Sequence, residues 1–166
     1  MPSTLKAYFC AIMLKKKLIL IILLTVGAFS SCKKEEYDPE KQLKIDDAII
    51  QEFITKNSIP AIKHESGIYY QILNPGSGSQ VTVANSVSTT YEGRLLNGSI
   101  FDGGSADFPL SRVIVGWQIG IPLIKKGGKI RLIVPSVFAY SINPPQGSGI
   151  PKNAVLDFTV DLTNVQ

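Results

Sequence analysis

Asn97-Gly98 lies between two runs rich in β-branched and aromatic residues, Val87 to Leu96 and Ser99 to Phe101. A two-residue hairpin needs positive φ at its centre, which Asn and Gly tolerate best, so this pair commits its flanks to antiparallel pairing. The same grammar recurs along the chain. Ile68 to Leu73 reads as a strand and ends in the turn formers Asn74-Pro75-Gly76-Ser77-Gly78-Ser79. Asp102-Gly103-Gly104-Ser105 is expected to break the returning strand, with Asp107 to Leu110 a further short one. Lys129 to Val134 alternates as a strand does, and Ala154 to Thr163 closes the set with Val155, Phe158, Val160 and Leu162 as its apolar members. Val113 to Ile124 is the expected single helix of this region, with Pro122 limiting its regularity and Gly127-Gly128 ending it. Ser136 to Asn153 is a long Pro- and Gly-rich loop, a length that in small domains is functional or unstructured. Short strands, hairpin links and one helix predict an α+β fold, an antiparallel sheet packed on a short helix.

Along this framework the sequence sets out Tyr91, Phe101, Val113, Ile114, Trp117, Tyr140, Ile150 and Phe158, with one acid, Asp102, directly after Phe101. No residues suited to nucleophilic attack, metal ligation or phosphate gripping accompany them. The only histidine, His64, sits in the polar stretch Lys63 to Gly67 and takes no role. An apolar aromatic hollow with almost no proton-transfer chemistry suits few reactions, and one that fits is rotation about a prolyl peptide bond. Taken singly, Trp117, Phe101 and Phe158 read sooner as ordinary core than as a site, and Asp102 can be a turn former and Tyr140 a surface aromatic of the loop.

The N-terminal part has a different character. Lys15-Lys16-Lys17 precede an apolar run, Leu18 to Phe29, that ends in Ser30-Ser31-Cys32. A basic start, an apolar stretch of about 12 residues and small residues at its end describe a secretory signal, too short for the ~20 apolar residues of a membrane span. The alternatives at Cys32 are an ordinary signal with an incidental cysteine, or the lipidation site that its position resembles, the lipobox of bacterial lipoproteins. Phe29 departs from the Leu or Val usual three places earlier. Met13 is the more economical start of such a signal. The reading divides the chain into residues 1–31 as signal, 32–37 as lipidated tether, 38–65 as helix and linker, and 66–166 as the folded domain. A lipid on Cys32 would anchor the domain to the bacterial envelope, facing the periplasm or the cell exterior.

Charge and thiols change meaning once the signal is set aside. The chain has 17 basic and 13 acidic side chains, and four lysines precede Cys32, which leaves 13 of each sign. That balance is no footprint for nucleic acid. Cys10 belongs to the signal and Cys32 to the lipid, so no disulfide is expected. Asp38-Pro39-Glu40 starts a helix by capping, by proline at the first position and by acid in the first turn. Ile45, Ile49, Ile50, Phe53 and Ile54 are expected on one face, and Asn57 at its end. That stripe packs on its own domain or pairs with a second copy, the self-association open to this chain.

In their order and spacing, several motifs resemble the FKBP-type peptidyl-prolyl isomerases, over Gly67 to Val165. They are Tyr91-Glu92-Gly93-Arg94-Leu95 with Asn97-Gly98 and Phe101-Asp102, Val113-Ile114-Val115-Gly116-Trp117, Lys126-Gly127-Gly128-Lys129, Val134-Pro135 with Phe138-Ala139-Tyr140, and Ile150-Pro151 through Phe158. The resemblance implies a twisted antiparallel sheet wrapped around one short helix, with the site between them. It implies Trp117 as the pocket floor, Tyr91, Phe101 and Phe158 as walls, and Ile150 as cover. Val113 and Ile114 would lie just before the helix, the Ile114 amide bonding a substrate carbonyl. Tyr140 would offer its hydroxyl to the substrate backbone, and Asp102 would stand at the edge. Asp102, Tyr140 and Trp117 are thereby the catalytic candidates, with no cofactor. The partners implied are unfolded or Pro-containing polypeptides. The competing expectation is a catalytically weak chaperone or binding module on the same fold. Four positions depart from the family pattern: Ser141 replaces the common Gly, Phe138 a Tyr, Gly149 a bulky apolar residue and Ala106 an aromatic one. They predict a wider pocket or a differently shaped loop.

Overall fold

The computed structural model describes residues 36–166. The signal segment, Met13 and Cys32 lie outside the described residues. Asp38–Gln166 form one compact unit. Its first element, α1 (Pro39–Lys56), begins as the sequence requires: the Asp38 carboxylate accepts from the amides of Glu40 at 2.9 Å and Lys41 at 3.1 Å. At the far end, the Asn57 side chain donates to the Phe53 carbonyl at 2.8 Å. The packed face differs from the expected stripe. Ile50 is fully buried against Tyr69, Ile133 and Val155, with Phe53 and Ile54 beside it, whereas Ile45 and Ile49 remain 46% and 41% exposed. The residue that shares the buried face with Ile50, one turn earlier, is Asp46. An acid on the inner face disguised its direction.

Six strands follow: β1 (Ile62–Lys63), β2 (Tyr69–Asn74), β3 (Ser86–Leu95), β4 (Ile100–Pro109), β5 (Lys129–Val134) and β6 (Leu156–Val165). They form one antiparallel sheet in the order β1-β2-β5-β6-β3-β4. The Asn97-Gly98 hairpin joins β3 to β4, closed by bonds from the Gly98 amide to Leu95 O (2.8 Å) and from the Leu95 amide to Ser99 O (2.9 Å). Asp102 to Ser105 do not break β4, contrary to expectation. Each residue there finds a partner on the long β3, from Gly93 opposite Asp102 to Thr90 opposite Ser105, and Gly104 stays in the ladder with φ +134. Ladder bonds override the weak strand preference of glycine here.

The predicted helix is also shorter. α2 spans Val115–Gly120, between 3₁₀ turns at Leu110–Arg112 and Ile121–Leu123. Pro122 has no amide hydrogen to continue an α-helix and instead sits in the first turn of the 3₁₀ segment. The helix lies very close to the sheet. A Cβ at Gly116 would collide with Val134, and one at Gly120 with Leu132. Ile68, Leu110, Trp117, Ile121, Ile130, Leu132, Leu156 and Val160 fill the space between them.

Candidate active site

Between α2 and the sheet opens a recess of about 90 Å³, lined by Tyr91, Asp102, Phe108, Val113, Ile114, Trp117, Tyr140 and Phe158. Trp117 is at its base, only 3% exposed. Three rings meet the indole nearly edge-on: Tyr91 from β3 at 5.2 Å between centroids, Phe158 from β6 at 5.5 Å and Phe108 from β4 at 5.9 Å. Edge-to-face pairs add about 0.5–1.5 kcal/mol each beyond their buried area, so this frame resists collapse into the hollow.

Glycine makes room for it. Gly93 lies opposite Phe158 across β3 and β6, and a Cβ there would stand 2.6 Å from Phe101 Cζ and 2.9 Å from Phe158 Cε1. Phe101 occupies that space, packing edge-on behind Phe158 at 5.6 Å. It supports the wall and does not line the recess. Ile150, 8% exposed, also packs into the core cluster outside the lining. Phe108 is the lining residue missing from the expected set. It shares a face of β4 with Asp102, since strand side chains alternate with period two and the two are an even number of residues apart. The break expected at Asp102 to Ser105 hid that alternation.

The polar groups stand at the mouth. The Tyr91 hydroxyl donates to Asp102 Oδ2 at 2.9 Å, and Asp102 Oδ1 accepts from the Gly103 amide at 2.9 Å. Burial first, and then the Asp102 carboxylate, push the Tyr91 hydroxyl up to about 12. Burial, followed by the charge on Asp102, also raises Tyr140 above the ordinary tyrosine value. Both phenols are therefore protonated donors at neutral pH, and neither is a base. Val113 and Ile114 run extended ahead of α2, and Gln118 Nε2 pins the Val113 carbonyl at 2.8 Å. His64 stands apart in a turn, its Nδ1 2.9 Å from Ser66 Oγ.

The Tyr140 loop is anchored from outside the recess. It leaves β5 through Pro135 into a 3₁₀ turn, Ser136–Phe138. The Ser136 carbonyl accepts from the amides of Ala139 at 3.0 Å and Ser141 at 2.9 Å, on either side of Tyr140. Ser141 holds φ +53, in the left-handed region. That is the physical reason glycine suits the position.

A curled antiparallel sheet, one short helix and an aromatic recess between them, edged by an acid and two phenols, define the prolyl-isomerase class of domain. Comparison with known proteins agrees. Residues 77–163 match the family described as FKBP-type peptidyl-prolyl cis-trans isomerase. A probable FKBP-type peptidyl-prolyl cis-trans isomerase FkpA of Neisseria meningitidis serogroup B is 36% identical over 140 residues, 80% of this chain and 50% of that one. The peptidyl-prolyl cis-trans isomerase Mip of Coxiella burnetii is 37% identical over 121 residues, 69% of this chain and 52% of that protein. Among solved structures, FkpA from Escherichia coli superposes with a TM-score of 0.66 at 30% identity, over 91% of this chain and 71% of that one. A peptidyl-prolyl isomerase from Pseudomonas syringae superposes at 0.64 with 29% identity, over 79% and 98%. The chain belongs to the FKBP-type peptidyl-prolyl cis-trans isomerase family. It spans about half the length of the two bacterial relatives aligned by sequence.

Proposed function

We propose that this chain catalyses cis-trans rotation of X-Pro bonds in exported polypeptides. The observation that carries the reading is the recess itself: an indole base framed by three rings, open beside Asp102 and Tyr140. Rotation breaks conjugation between the amide nitrogen and its carbonyl, and the uncatalysed barrier is about 18–20 kcal/mol. The twisted amide carries less charge separation than the planar one, so a water-poor aromatic cavity favours it. A rate gain of ~10⁵ asks the site for only about 7 kcal/mol. Trp117 supports the proline ring from below, with Tyr91, Phe108 and Phe158 as walls. The Ile114 amide bonds the substrate carbonyl and holds the segment in register. Tyr140, a protonated donor, fixes the substrate backbone on the other side. Tyr91 orients Asp102 so that the carboxylate faces the mouth. Phe101 and Ile150 act from behind, keeping the wall and loop in place. None of these steps draws on a cofactor.

A protease-coupled isomerisation assay on an X-Pro peptide tests this reading. Turnover well above buffer is expected, with Asp102→Ala and Tyr140→Phe each lowering kcat/KM about tenfold while the domain stays folded. Wild-type rates equal to buffer would leave only a binding module for Pro-containing segments. Unchanged turnover in both variants would remove the two roles.

The destination is part of the proposal. The apolar run and Cys32 support export and lipid anchoring in the bacterial envelope, where newly translocated chains are the clients. Incorporation of labelled fatty acid into the wild type, and its loss in Cys32→Ala, would show the anchor. The exposed Ile45 and Ile49 on α1 support association with a second copy, which sedimentation of the chain with and without Asp at both positions would reveal.

A further inference from the structure

Asp46 is fully buried on the inner face of α1, yet it carries a carboxylate. Its Oδ2 accepts from the Ser136 amide at 2.7 Å and from Ser136 Oγ at 2.6 Å, and its Oδ1 accepts from Gln42 Nε2 at 2.7 Å. Ser136 is itself fully buried. A buried carboxylate is costly unless its lone pairs are satisfied, and here they are met by directed donors. Docking the helix would not need such a group. Ile50, one turn along, docks it with carbon alone. What the carboxylate adds is direction: it fixes the residue that opens the turn leading to Tyr140.

The consequence runs outward from Ser136. Its carbonyl closes the turn on both sides of Tyr140 through Ala139 and Ser141, the Asn143 amide bonds Tyr140 O at 2.9 Å, and the Asn153 amide bonds Ser141 O at 2.8 Å. Ser141 keeps its left-handed backbone inside this set of bonds. We infer that Asp46 is a positioning residue for Tyr140, making the helix ahead of the FKBP fold a working part of the active site. The inference rests on the isomerase reading for its kinetic readout, and on loop order for an independent one.

The test is a double-mutant cycle on the full chain, read by peptide turnover well below the melting temperature and by amide hydrogen exchange. Asp46→Ala is expected to lower kcat/KM about tenfold, as misplacement of a substrate-orienting group does. Ser136→Ala, which removes only the hydroxyl bond, is expected to lower it about threefold, and it serves if Asp46→Ala does not fold. Ile50→Ala, which loosens the same helix without touching Ser136, is expected to stay within about twofold of wild type despite its lower melting temperature. In a Tyr140→Phe background, Asp46→Ala is expected to cost no more than about twofold, because a residue acting through a hydroxyl has nothing to act through once it is gone. The inference is overturned if turnover survives in both Asp46→Ala and Ser136→Ala, if Ile50→Ala loses as much as they do, or if the loss is the same with and without the Tyr140 hydroxyl. Should the wild type itself show no turnover, the isomerase reading falls. Exchange at the Ala139 and Ser141 amides then decides: faster in Asp46→Ala or Ser136→Ala supports the clamp, and unchanged in both sinks it.

Discussion

Gly93→Ala probes whether the aromatic wall has its observed shape because one strand position lacks a side chain. The new methyl would begin 2.6 Å from Phe101 Cζ, 2.9 Å from Phe101 Cε2 and 2.9 Å from Phe158 Cε1. Carbon contacts settle near 3.5–4.0 Å, so the two rings must retreat by about 1 Å. They are not equally free to do so. Phe101 is half-buried and can swing toward solvent, whereas Phe158, 4% exposed, is backed by Trp117 at 5.5 Å. Overpacking of this kind costs about 1–3 kcal/mol. Gly93 has no positive φ, so alanine regains about 0.5–1 kcal/mol of chain entropy, leaving a net loss of about 1–2 kcal/mol. For a domain of this size that is about 3–8 °C in Tm. Trp117 is the sole tryptophan, so urea unfolding followed by its fluorescence reports the wall directly. Because Phe158 is pressed into the recess, KM for an X-Pro peptide should rise more than kcat falls. A variant as stable as the wild type, with unchanged KM, would refute the idea that this glycine is kept open by the two rings.

Three further outcomes are expected. Ser141→Gly should raise the urea midpoint, by up to about 1 kcal/mol in stability, because it relieves a left-handed serine at φ +53; an unchanged or lower midpoint would show the strain is met locally. Tyr91 titrates near 10 when unfolded and near 12 when folded, so its contribution is fully present below pH 10 and is lost as pH rises through about 12; Tyr91→Phe should flatten the fall in stability measured between about pH 10 and 12. Arg131→Met should cost about 3 kcal/mol in urea unfolding, because it strands the Asp157 carboxylate, 7% exposed, that Arg131 now grips through Nε at 2.9 Å and Nη2 at 2.6 Å; a loss under about 1 kcal/mol would mean water reaches that carboxylate.

What could be read from the chain alone followed the range of the forces involved. The Asp38 cap and the Asn97-Gly98 hairpin are set by atoms a few residues apart, and both stand where the sequence placed them. The grouping of Tyr91, Asp102, Val113, Ile114, Trp117, Tyr140 and Phe158 around one recess was legible only as a motif pattern, since no local rule brings β3, β4, α2, the Tyr140 loop and β6 together. The misreadings have a common origin in tertiary context. β3 carried Asp102 to Ser105 through a stretch that composition marks as a break, and that continuity is what brings Phe108 to the lining. Asp46 had no place in the apolar stripe, because the partner that draws it inward lies 90 residues later. Phe101 and Ile150 belong to the family pattern, yet the pattern does not distinguish a side chain that faces the hollow from one that braces it.

The close approach of α2 to the sheet has a further bearing on evolution of this site. With Gly116 seated on Val134 and Gly120 on Leu132, the helix has no slack beneath it and cannot settle deeper or tilt to suit a bulkier guest. Selectivity must then be tuned from above, by changing what stands around the entrance, while the depth of the bowl stays constant across such variants.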